Sequence, residues 1–163
     1  MTTAAIRPAR PTQRFPRWSL RVPELFFVLH LGRLVPWLVM VETTGRRSGR
    51  PRRVVLDVAR VDERGLWVLA ADGRQARWVM NLLAHPACVI RHRGRRYVAR
   101  AKVGGVDAGE LAAGIYRDRP LYTRLIYLAI GERIRNAADV RRLAAGAVAV
   151  FLEENPTNPP FRA

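Results

Sequence analysis

Residues 37–58 read WLVMVETTGRRSGRPRRVVLDV. The short continuous apolar run Trp37–Val41 predicts a strand buried on both faces. Beyond the arginines, Val54, Leu56 and Val58 alternate with Val55, Asp57 and Ala59, which predicts a second strand of period two. Between them, residues 43–53 pack five arginines, two glycines, a serine and a proline into one turn. A strand, a glycine-rich turn and a returning strand make an antiparallel hairpin. The turn itself leaves three readings open: a solvated tip, a nucleic-acid contact, or a cradle for an anionic small molecule.

Working outward, Asp62-Glu63-Arg64-Gly65 is the next hairpin turn and leads into a strand over Leu66–Ala71, which Asp72-Gly73 ends. Residues 75–84 change to helical spacing, with Val79, Leu82 and Leu83 on one face, and Pro86 stops the helix. Cys88-Val89-Ile90 begins a strand, His92-Arg93-Gly94-Arg95 turns it, and Tyr97, Ala99, Ala101 and Val103 alternate on the return. Asp107 and Glu110 have capping-box spacing, with the glutamate expected to reach back. Pro120 suits the first turn of a further helix carrying Tyr122, Leu125, Ile126 and Ala129 on one face, stopped near Gly131. Asn136 caps a short helix, and Val148, Val150 and Leu152 alternate in a last strand. Six short strands joined by tight turns predict an α+β protein, a small antiparallel barrel with peripheral helices. Toward the amino terminus, Val22, Leu25, Phe26 and Leu29 have helical spacing, and residues 1–17 read as a flexible basic arm. Residues 18–163 then form one domain.

The chain has 163 residues and a net charge of +16. That charge predicts anionic partners, although an arginine bias with Lys102 as the only lysine also arises from high-GC coding. One cysteine, Cys88, excludes an internal disulfide, and three histidines share no metal-ligand spacing. The run from Pro23 to Val41 is broken by Glu24, His30, Arg33 and Pro36, so it does not make a membrane span. A cytoplasmic protein is expected, with peripheral contact between the amino-terminal helix and an anionic membrane as a second use of that helix. With Ser19 and Ser48 the only serines and no paired acids, hydrolysis is a poor fit. An enzyme of this composition would leave the difficult chemistry to a cofactor.

Two motifs then gain meaning together. Thr43-Thr44-Gly45-Arg46-Arg47-Ser48-Gly49-Arg50-Pro51-Arg52, followed by Trp78-Val79-Met80-Asn81-Leu82-Leu83-Ala84-His85-Pro86, resembles the deazaflavin-dependent nitroreductase and quinone-reductase family. The resemblance implies a split β-barrel binding coenzyme F420, ahead of flavin mononucleotide. It implies hydride transfer to a small organic electron acceptor such as a quinone, an enone or a nitroaromatic. Carried over, Arg46, Arg47, Ser48, Gly49 and Arg52 hold the phosphate and acidic tail. The strand end Ala70-Ala71 lines the ring by backbone, and Trp78 and Asn81 fix the ring and its neighbouring chain. Tyr116 and Tyr122 fall where the family puts substrate-facing aromatics. The sequence departs from the family where Arg47 replaces a frequent lysine, and the loop from Ala71 to Trp78 is short. Two other readings stand behind this one: a non-catalytic barrel holding flavin, haem or a fatty acid, and third, nucleic-acid binding, although no specific nucleic-acid partner is expected. Either a monomer or a homodimer fits the sequence.

Overall fold

The computed structural model describes residues 35–155. The basic arm, the helix expected from Val22 and its membrane contact lie outside the described residues. Six strands are present among the described residues: β1 Leu38–Thr44, β2 Pro51–Asp62, β3 Gly65–Ala70, β4 Ala87–His92, β5 Arg95–Val103 and β6 Val148–Glu154. They close an antiparallel barrel in the order β1-β2-β3-β6-β5-β4. Four α-helices accompany them among the described residues: α1 Arg77–Ala84, α2 Ala108–Asp118, α3 Pro120–Ala129 and α4 Ala137–Leu143. This is the expected α+β split barrel.

Alternation supplies the interior. Val39, Val41 and Thr43 of β1 point inward with Leu66 and Val68 of β3, Cys88 and Ile90 of β4, Tyr97 and Ala99 of β5, and Val150 and Leu152 of β6; all are buried. The long strand β2 is shared between two neighbours. β1 pairs it from Pro51 to Asp57, whereas β3 meets it only from Val58 to Asp62, with a register shift between Val58 and Arg60. A bulge of this kind bends a strand, and here it lets one strand turn the barrel corner. As a result, among the described residues the first half of β2 has no strand on its β3 side.

The end of the barrel that carries the β1–β2 turn is crossed by α1, whose Val79 and Leu82 plug the core. At the opposite end the buried imidazole of His92 bonds through Nε2 to the Pro36 carbonyl at 2.7 Å. Outside, Leu111 and Ile115 of α2 cover Ala59, Trp67 and Ala149, and Val140 of α4 packs on Ala112.

Three local expectations change. Leu83 is exposed, because the buried side of α1 is its Val79–Leu82 face. Asp107 does cap α2, accepting from Glu110 N at 2.8 Å, but the Glu110 carboxylate turns away to Arg141 at 2.6 Å. A charged partner on the neighbouring helix holds that carboxylate better than a lone amide. Leu125, Ile126 and Ala129 of α3 are exposed, and Thr123 is the buried residue of that helix.

Candidate functional site

The β1–β2 corner is built by backbone bonds. Gly45 N donates to the Arg50 carbonyl at 2.9 Å, and Gly49 N to the Gly45 carbonyl at 2.8 Å. Gly49 has a φ of 64°, the left-handed region where a side chain is strained. At Gly45 a Cβ would stand 2.8 Å from Ser48 Oγ and 3.0 Å from the Arg50 oxygen, so the turn can tighten only around glycine. Ser48 Oγ accepts from Arg50 N at 3.4 Å, which leaves its proton free to donate. Arg53 pairs with Glu42 at 2.8 Å. Arg46, Arg47, Arg50 and Arg52 are exposed and have no acidic partner among the described residues.

A buried amide joins this corner to α1. Asn81 Oδ1 accepts from Arg46 N at 3.1 Å, and Asn81 Nδ2 donates to Thr43 Oγ1 at 3.1 Å. Thr43 Oγ1 in turn donates to the Arg52 carbonyl at 3.3 Å. The Asn81 side chain therefore holds both flanks of the arginine turn and does not cap its own helix. Trp78, one turn earlier and half-buried, packs against the main core. Buried Ala70 ends β3 at this same end of the barrel, and exposed Ala71 begins the turn after it, one residue short of the expected strand end. Thr43 is a contributor that the motif reading left without a role. Its signal was a polar residue at an inward position of β1, after Val39 and Val41.

The tyrosines lie elsewhere. Tyr122 Oη donates to Asp57 Oδ1 at 2.6 Å, its ring set edge-on to Trp37. Asp57 pairs with Leu38 at the far end of the ribbon from Thr44 and Pro51, roughly 20 Å along the strand at the usual rise per residue. Tyr116 Oη donates to the Arg135 carbonyl at 2.8 Å. Both hydroxyl protons are engaged within the protein.

Three titratable groups of the barrel are shifted by burial. Burial pushes the Cys88 thiol up to about 12 and holds the His92 imidazole below its ordinary value. Burial also raises the Asp57 carboxyl, against the opposing hydrogen bond from Tyr122. Among the described residues no group of three or more histidines, cysteines or acids is placed to hold a metal ion. What the corner offers is positive charge, donors and close backbone approach, the means of gripping an anion.

The family described as F420H(2)-dependent quinone reductase matches residues 27–124. No curated protein sequence matches the chain. Among solved structures, a conserved hypothetical protein, Rv2991, from Mycobacterium tuberculosis is 12% identical, with 78% of this chain and 79% of that chain covered and a TM-score of 0.53. It shares the fold. The heme storage protein HutZ from Vibrio cholerae is 15% identical over 82% of this chain and 91% of that one, with a TM-score of 0.49. An F420-H2 dependent reductase, FDR-A, is 17% identical over 71% and 93%, with a TM-score of 0.43. The family match takes in the arginine corner, the Trp78–Asn81 helix and the first five strands, more than half of the chain, and on that ground the protein belongs to the F420H(2)-dependent quinone reductase family and is an F420-dependent oxidoreductase.

Proposed function

We propose that the β1–β2 corner and α1 together hold coenzyme F420 for reduction of a small organic acceptor, a quinone, an enone or a nitroaromatic. The observation that carries this reading is the bond from Arg46 N to buried Asn81. It fixes the arginine cluster against the helix bearing Trp78, so the turn is no loose tip. The residues suit the coenzyme. Its tail carries a phosphate and several carboxylates, and four guanidinium groups without acidic partners are the complementary set. In this reading Arg46, Arg47 and Arg52 grip the tail, with the Ser48 hydroxyl and the Gly49 backbone alongside. Trp78, Asn81 and the strand end Ala70-Ala71 border the ring.

When bound, reduced F420 supplies the hydride. The chain's own part is to bind, orient and exclude water. No side chain at the corner has to gain or lose a proton, and water is assigned the final proton.

Titration of the purified protein with oxidised F420, flavin mononucleotide and NADP in parallel tests the coenzyme, and a panel of quinones and nitroaromatics tests the acceptor. Arg46→Ala and Arg47→Ala are each expected to weaken F420 binding about 10- to 100-fold, the worth of a charge-assisted bond. Turnover at saturating coenzyme should be unchanged. Equal affinity in wild type and both variants overturns the assignment.

A further inference from the structure

α3 is inverted. A helix covering a globular core turns its apolar stripe inward. In α3 the one fully buried residue is Thr123, whose hydroxyl donates to the Arg119 carbonyl at 2.8 Å, and beside it half-buried Tyr127 packs against Ala112, Ile134 and Val140. The ties to the barrel are also polar: Tyr122 bonds Asp57, and the Arg119 guanidinium donates to the Val58 carbonyl at 2.7 Å. On the opposite side Leu121, Leu125 and Leu128, at i, i+4 and i+7, stand 73%, 66% and 55% exposed. Single exposed leucines are ordinary. Three in line on the outward face of a ten-residue helix make a contiguous apolar patch, the kind of surface that marks an interaction site.

The charge around the patch says with what. Residues 117–135 hold five arginines against two acids, Asp118 and Glu132; Arg117 lies 3.8 Å from Glu110 and Arg119 turns in to Val58, which leaves Arg124, Arg133 and Arg135. Arg124 spends its hydrogen bonds on neutral acceptors, the Tyr116 hydroxyl and the Arg135 carbonyl. Arg133 and Arg135 have exposed side chains with no acidic partner among the described residues. A second copy of the chain is a poor occupant, because a two-fold contact would set these arginines against their own counterparts. A convex row of leucines needs either a complementary groove or a fluid apolar phase. A bilayer with anionic headgroups supplies the second, together with the negative charge.

We propose that the outward face of α3 docks on an anionic lipid bilayer. Leu121, Leu125 and Leu128 enter the acyl boundary, and Arg124, Arg133 and Arg135 meet headgroup phosphates. The polar ties to β2 hold the helix as a rigid platform. This surface is separate from the coenzyme corner, and the proposal stands or falls without it.

The test is co-sedimentation of the full chain with vesicles of phosphatidylcholine containing phosphatidylserine, and with phosphatidylcholine alone. The protein is expected on the anionic vesicles, with binding that declines as salt rises. The triple variant Leu121→Gln, Leu125→Gln, Leu128→Gln should lose at least roughly tenfold in partitioning, and Arg133→Gln about fivefold. F420 affinity should be unaffected in both. As a check independent of the triple variant's folding, Leu121→Cys is labelled with a polarity-sensitive dye, the one native thiol, Cys88, being buried. Its emission should shift to the blue on anionic vesicles. No binding by wild type, no dye shift, or full binding by a folded triple variant (as when residues 1–34 alone carry the contact) overturns the proposal. So does a wild-type dimer that the triple variant dissolves.

Discussion

Thr43, Asn81 and His92 are polar residues at buried positions, and each is held there by a named partner, as a buried polar group requires. Thr43 and Asn81 serve the corner. Arg46 and Asn81 are 35 positions apart in sequence, so the two motifs could be recognised separately while the bond joining them could not. His92 serves the opposite end and has a different consequence. Its imidazole is held below the ordinary 6.5, first by desolvation and also by the Arg93 charge, with the bond to the Pro36 carbonyl acting the other way. Over that window the unfolded chain binds a proton that the folded chain does not, so stability falls as pH drops from about 6.5 through the folded value. The urea midpoint of wild type is therefore expected to drop between about pH 7 and pH 5, and that of His92→Gln to drop less. Equal drops would show that His92 does not carry the linkage.

At the scale of elements, the hairpins and caps were legible because their signals are local. Asp107 and Asn136 cap α2 and α4 as their spacing predicts, accepting from Glu110 N and Asp139 N. Gly65 was legible for the wrong reason. It reads as a turn residue, yet its role is contact: it faces Glu153 on β6, and a Cβ there would overlap the Leu152 carbonyl oxygen. The β3–β6 ladder can close only around glycine at that point. Gly65→Ala should cost about 1–3 kcal/mol, as overpacking against backbone does, read from the midpoint of chemical denaturation. An unchanged midpoint would mean the ladder yields freely. α3 shows the converse failure. Its apolar spacing correctly gave a helix, but periodicity states only that a stripe exists: Tyr122 turns in to Asp57, while Leu125, Ile126 and Ala129 of the same stripe stay exposed.

For the molecule as a whole, the charge of +16 is partly matched and partly not. Arg60–Asp62, Arg141–Glu110, Arg142–Asp139 and the pair Arg64 and Lys102 on Glu153 are matched. On β4 and β5, exposed Arg91 stands directly opposite exposed Arg96, a like-charged cross-strand pair that destabilises a ladder. Salt should therefore act in two directions. Screening of self-repulsion is expected to raise the melting temperature by roughly 2–4 °C on going from low to physiological salt, the size of about 1 kcal/mol in a chain of this length. F420 affinity should decline over the same range. A melting temperature that falls while the chain stays monomeric would contradict the first part. The sequence by itself determined the strands, the turns, the helix caps and an arginine corner able to grip an anion, since each is specified by residues within a few positions of one another. Only the tertiary structure decided that β6 enters between β3 and β5, that β1 closes on β4, that Asn81 reaches the corner, and that three leucines face outward. Those outcomes depend on which edges and faces meet across long stretches of chain, a choice made by the summed burial of the whole barrel and legible in no single segment.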